Sequence, residues 1–309
     1  MSGPPTFAIP PSFLGIESVD RSFPICIAGI PLDIGTTNRS GARFGPSAVR
    51  QASRMLVDGA HPHHWIDPKT LPIADVGDFS IALGDLSRSL SLIEDQALPF
   101  RHLIALGGEH SITLPLLRAL TKKTGPVALI HFDAHVDTWP DNFGQTYGHG
   151  SVFYHALEEG LVTPSRMIQI GIRSPVQREV FEWTKRKGVT IITAETVHET
   201  NPSSIAEQIR SVIESAPLYL SFDIDVLDPA FAPGTGTPEV GGLGSWQVQA
   251  ILRRLKHLRF VGMDMVEVAP PYDVAEVTAL AAATFVWEYL ALLDNKSPQT
   301  SHENQRPSA

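Results

Sequence analysis

The sequence predicts a single α/β domain built on a mostly parallel, eight-stranded sheet with helices on both faces. Three observations predict it. Short apolar, β-branched runs alternate with longer segments of helical period, and no hydrophilic linker interrupts them. The apolar runs are nearly continuous rather than alternating, as in strands covered on both faces. Charged residues then gather at the C-terminal ends of several of these runs, the edge at which open α/β sheets bind ligands.

The expected strands, in order, are "ICIAGI" (25–30), "LPIADVG" (71–77), "HLIALGG" (102–108), "VALIHFD" (127–133), "MIQIGIR" (167–173), "VTIITA" (189–194), "LYLSFDI" (218–224) and "FVGMDMVEV" (260–268). Helical period predicts helices over 46–56, 86–98, 113–122, 203–213, 245–255 and 275–292, and Gly45 and Pro46 suit a helix entry. The domain is expected to cover 21–295. An N-terminal extension (1–20) precedes it, and a flexible polar tail (296–309) follows.

The 309 residues are 43% hydrophobic and carry a formal net charge of −9. That balance argues against a nucleic-acid or anionic-membrane partner. The one cysteine, Cys26, lies in an apolar run, so no internal disulfide forms and a buried thiol is expected. The N-terminus lacks a signal-peptide pattern, and no apolar stretch is long enough to span a bilayer, so a cytoplasmic protein is expected.

The strand ends carry the chemistry. "GGEHS" (107–111), "DAHVD" (133–137) and "SFDIDVLDP" (221–229) offer His110, Asp133, His135, Asp137, Asp223 and Asp225. Four buried carboxylates without a cation would have to protonate or bear heavy desolvation costs. Six ligands exceed what one catalytic ion takes, whereas two ions sharing carboxylates use them all. The oxygen-rich, sulfur-free set favours Mn²⁺, with Ni²⁺ as the alternative. A fully extended 133–137 segment would span roughly 13 Å. All three side chains reach ions about 3.5–4 Å apart only if the backbone curls, so the strand should end near Asp133.

These motifs resemble the ureohydrolases, the family of arginase, agmatinase, guanidinobutyrase and guanidinopropionase. The resemblance runs from "GIPLDIGTTNRSGARFGP" (29–46) to "VEVAPPYD" (266–273) and the helix beyond. "GGEHS" departs from the family motif in having Glu109 where aspartate is usual, at a position that does not ligate. The resemblance implies an arginase-like fold and two Mn²⁺ ions that activate water for attack on a guanidinium, releasing urea and an amine. One ion would be held by His110, Asp133, Asp137 and Asp223, the other by Asp133, His135, Asp223 and Asp225. Asp137 would pass a proton to the departing amine. Glu267 in "DMVEVAPP" would pair with the guanidinium, and His149 in "YGHGS" would shuttle protons or hold the substrate.

Arginases carry an asparagine two residues after the second metal motif, where this chain has Trp139. A non-arginine guanidine is therefore expected, agmatine first. Trp139 would narrow the pocket or stack on a cation, with Asp141 as partner for the substrate's ammonium. A guanidino acid would instead call on Arg39, Arg43 or Asn142, and a small or alkylated guanidine on none of them. Two rival classes are a single-zinc amide hydrolase and a non-catalytic assembly subunit; the full set of six ligands argues against both. By resemblance the chain forms a homo-oligomer, a trimer or hexamer, with a heteromeric partner left open. "HPHHW" (61–65) has metal-like composition but no evident carboxylate partner, and reads as a surface loop. The glycines of "GTGTPEVGGLGS" lack a Walker lysine and read as a loop shaping the cleft mouth.

Overall fold

The structure, a computed structural model, describes residues 11–293. The expected polar tail and residues 1–10 of the expected extension lie outside them. Eight strands form one sheet: β1 (Ile25–Ile30), β2 (Ile73–Asp78), β3 (Leu103–Gly107), β4 (Val127–Phe132), β5 (Val162–Ile172), β6 (Thr190–Thr193), β7 (Leu218–Asp223) and β8 (Phe260–Val266). Their order is β2-β1-β3-β8-β7-β4-β5-β6, and every neighbouring pair is parallel. The expected strands all form. β5 begins earlier than its apolar run, because the polar "TPSR" stretch hides its first half.

The helices are α1 (Gly45–Ser53), α2 (Leu86–Ala97), α3 (Thr113–Thr124), α4 (Val152–Glu158), α5 (Arg178–Lys187), α6 (Ala194–Glu199), α7 (Pro202–Ile213), α8 (Ser245–Leu252) and α9 (Val277–Leu292). Of these, α4, α5 and α6 were not expected: α4 and α6 are short, and α5 is charged and buries little besides Thr184. Strand residues alternate between two apolar layers. Ile27 and Ile104 pack with α1, α7, α8 and α9 on one face, while Cys26, Ala28 and Ala105 pack with α2 and α3 on the other. Phe13 and Leu14 of the expected extension are buried in the first layer.

"HPHHW" is not the surface loop without a carboxylate partner that its composition suggests. His61 is fully buried, and its Nε2 lies 2.8 Å from Glu288 Oε2, a carboxylate inside the apolar helix α9. Arg253 closes the same carboxylate at 2.5 Å. The partner lies 227 residues away in sequence, which is why local composition did not reveal it. His61 Nδ1 accepts the N–H groups of His63 and His64, so the ring has no lone pair left for a metal.

Candidate metal centre and substrate cavity

The four central strands, β3, β8, β7 and β4, deliver the candidate residues to one edge. His110 follows β3, Glu267 follows β8, Asp223 ends β7 and Asp133 follows β4. Asp225 sits in a 3₁₀ turn after β7, and His149 opens another before α4. As the spacing requires, β4 stops at Phe132 and the chain curls. Asp137 has φ of 49° and Glu267 φ of 63°, a left-handed backbone that non-glycine residues rarely adopt.

The six expected ligands converge. His110 Nδ1 lies 3.0 Å from Asp137 Oδ2, 3.2 Å from Asp133 Oδ2 and 3.3 Å from Asp223 Oδ2. His135 Nδ1 lies 3.0 Å from Asp225 Oδ2 and 3.2 Å from Asp133 Oδ1. Asp133 thus faces both imidazoles, as a shared ligand must.

Hydrogen bonds behind the cluster test whether a cation fits. Asp264 is buried and accepts the hydroxyls of Thr113, Tyr219 and Ser221, each at 2.8 Å. With its proton on Asp264, the Ser221 hydroxyl can only accept from His110 Nε2, 2.8 Å away. The ring proton is then on Nε2, and Nδ1 turns a lone pair toward three carboxylate oxygens. Four acceptors facing one another repel unless positive charge sits between them. Burial holds the Asp223 and Asp225 carboxyls up, and mutual repulsion adds to it. Although burial opposes it, the carboxylates raise the His110 and His135 imidazoles well above their usual range. The site draws in positive charge, and two divalent ions fit its donors.

Beside this cluster, Glu267 Oε1 accepts the His110 backbone N–H at 2.8 Å and pairs with His149 Nδ1 at 3.0 Å. Its Oε2 is buried without a hydrogen-bond partner. The Thr37 backbone N–H reaches His149 Nε2 at 3.2 Å and the Thr37 hydroxyl lies 2.8 Å away. A backbone N–H only donates, so the His149 proton sits on Nδ1, toward Glu267. Glu109 explains how the Thr37 loop is held. Its carboxyl accepts Gly35 N–H at 2.7 Å, Thr36 Oγ1 at 3.1 Å and Ser111 Oγ at 2.5 Å. A Cβ at Gly35 would come within 2.5 Å of Glu109 Oε1, so a larger residue there would push this carboxyl out of place. Burial pushes the Glu109 carboxyl up to about 7.

A cavity of about 510 Å³ opens over the cluster, lined by His135, Asp137, Asp223 and His149 below and by Trp139, Asp141, Asn142 and Phe143 toward the mouth. None of its lining residues is lysine or arginine. Trp139 Nε1 donates to Gln177 Oε1 at 2.6 Å, which fixes the indole across one wall. Asn142 lines the cavity with its Oδ1 unpartnered. Arg39 is not among the lining residues; its guanidinium lies over the Tyr272 ring, 5.1 Å from the centroid. Arg43 is engaged by Asp33 at 2.5 Å. Thr37, Ser221, Asp264, His131 and Gln169 were missed from sequence. For the last four the available signal was polar residues inside apolar strands, which a buried parallel sheet otherwise avoids; Thr37 lies in a loop and gave none.

Fold and site together define a parallel α/β protein with a cluster of imidazoles and carboxylates fit to bind metal at the C-terminal edge of its sheet. More particularly, the chain belongs to the arginase family, the ureohydrolases, whose family model matches residues 23–291. It is similar to an agmatinase of Cronobacter sakazakii, 44% identical over 270 residues, with 85% of each chain covered. Among solved structures it is similar to a hypothetical agmatinase from Burkholderia thailandensis (TM-score 0.87, 41% identity, 93% of this chain and 92% of that one). It is also similar to the proclavaminate amidino hydrolase from Streptomyces clavuligerus (TM-score 0.88, 36% identity, 94% and 98%). No helix among the described residues is long and apolar enough to cross a membrane.

Proposed function

We propose that this protein hydrolyses agmatine to putrescine and urea at a pair of Mn²⁺ ions. One ion would be held by His110, Asp133, Asp137 and Asp223, the other by Asp133, His135, Asp223 and Asp225. Bound there, the ions supply hydroxide at neutral pH by lowering the pKa of coordinated water. Ni²⁺ is the alternative for the same oxygen-rich set.

The chain's own residues do the rest. Glu267 Oε2, an acceptor without a partner, receives the guanidinium N–H groups and holds the guanidinium carbon over the cluster. Asp137 carries a proton toward the departing amine nitrogen. His149 donates its Nδ1–H to Glu267 Oε1, lines the cavity, and holds the Thr37 N–H on Nε2. A second proton on this ring, favoured by Glu267 against the ring's burial, turns Nε2 into a donor and displaces the Thr37 amide.

The observation that carries the substrate reading is the charge of the cavity. The carboxylates of Asp137, Asp141 and Asp223 line it, no lysine or arginine does, and the two arginines suited to a substrate carboxylate are engaged elsewhere. A substrate cationic at both ends suits such walls, with Asp141 toward its ammonium. A guanidino acid would meet repulsion at the mouth. The assay is urea release from agmatine, 4-guanidinobutyrate, 3-guanidinopropionate, arginine, guanidine and an alkylated guanidine, after reconstitution with Mn²⁺, Ni²⁺ or Zn²⁺. Agmatine should lead by at least tenfold in kcat/KM. A leading guanidino acid would overturn the substrate assignment, and silence across the panel with two ions bound would overturn the reaction.

A further inference from the structure

One polar row in the sheet lies directly beneath the candidate ligands. Gln169 of β5 is in register with His131 of β4, His131 with Ser221 of β7, and Ser221 with Asp264 of β8. All four side chains are buried in an otherwise apolar sheet. Ser221 and Asp264 set the polarity of His110 through the hydroxyl between them. The other half of the row faces Asp133, the carboxylate that both ions would share.

His131 Nε2 lies 2.7 Å from Asp133 Oδ2. By distance alone His131 could be a metal ligand, since it groups with His110, Asp133 and Asp137. Gln169 decides otherwise. Its amide nitrogen lies 2.7 Å from the Val136 carbonyl oxygen and 3.0 Å from His131 Nδ1. Turning the amide over would set its oxygen against that carbonyl, so the nitrogen stays and donates to both. His131 Nδ1 therefore accepts, its proton sits on Nε2, and that atom has no lone pair for an ion. The arrangement leaves Gln169 Oε1 buried without a partner. A buried unpartnered oxygen is costly, so its presence marks a fixed amide orientation with a use.

We propose that Gln169 and His131 are a positioning pair that donates one hydrogen bond to Asp133 and holds this shared carboxylate in the orientation that bridges both ions. The inference rests on the two-ion reading above. Partners behind metal ligands typically alter affinity by about 10–100-fold.

The test compares wild type, His131→Gln, His131→Asn and Gln169→Leu by Mn²⁺ titration against a competing chelator. Bound ions are counted, and thermal melting of the metal-free proteins checks the fold. A glutamine amide nitrogen falls near the position of Nε2, whereas an asparagine amide reaches only Nδ1. His131→Gln should therefore bind two ions within about threefold of wild type. His131→Asn and Gln169→Leu should melt with wild type yet lose about 10–100-fold in affinity for at least one ion, with urea release recovered at high Mn²⁺. Equal affinity in His131→Asn and wild type would overturn the proposal. Loss of a whole ion in every His131 variant, His131→Gln included, would overturn it too, by making His131 a ligand. Fewer than two ions in wild type would instead overturn the two-ion reading itself.

Discussion

Glu267→Gln tests the proposed guanidinium pair apart from the metal centre. Glu267 Oε1 is fixed by the His110 N–H and His149, and a glutamine oxygen can take the same place. The change falls on Oε2, buried and unpartnered, where glutamine presents an N–H₂ to a guanidinium that can only donate. Removing one charge of a buried pair costs about 3–5 kcal/mol. At about 1.4 kcal/mol per decade, kcat/KM for agmatine should fall by about 10²- to 10³-fold or somewhat more. Because Glu267 is not among the proposed ligands, two ions should remain bound. The assay is the initial rate of urea release across agmatine concentrations, with metal counted in the same sample. A kcat/KM within fivefold of wild type, with both ions present, would refute the assignment of Glu267.

Asp137→Asn should abolish turnover and weaken one of the two ions, read by urea release and metal titration; full activity with both ions retained would contradict its role. Asp141→Asn keeps an acceptor for the Gly144 N–H, 2.9 Å from Oδ1, so the loop should hold. KM for agmatine should rise by up to about fivefold, the worth of a solvent-exposed charge pair, with kcat unchanged. His102 tests pH dependence away from the centre. Burial holds its imidazole down to about 4, against 6.5 for an ordinary histidine, and its Nε2 lies 2.8 Å from Tyr289 Oη. Between these values the unfolded chain takes up a proton that the folded one refuses, so stability falls as pH drops from about 6.5 to about 4. The loss is up to about 3 kcal/mol. Melting temperatures of His102→Gln should show a flatter slope across that window; an unchanged slope would assign the acid sensitivity elsewhere.

Much of the fold was legible because a buried parallel sheet writes its strands as continuous apolar runs, and all eight appeared that way. Helices that bury an apolar stripe, such as α2 and α7, were visible for the same reason. The exposed α5 was not, since its charged surface carries little burial signal. The candidate cluster was legible because carboxylates gathered at buried strand ends require a cation to offset their repulsion. His131 and Gln169 lie within strands, and their meaning depends on register between β4 and β5, which no local pattern reveals. The same limit hid Glu288 from His61. At Arg39, sequence suggested a reach toward the pocket, but a nearby aromatic ring offered the guanidinium another surface.

Two ions at these carboxylates and imidazoles are proposed to make the protein an agmatine hydrolase. The direct measurement is urea formation from agmatine as metal-free protein receives measured equivalents of Mn²⁺. Activity should stay low through the first equivalent and plateau near two per chain, with putrescine formed one-to-one with urea. A plateau at one equivalent, or no urea with two ions bound, would contradict the account.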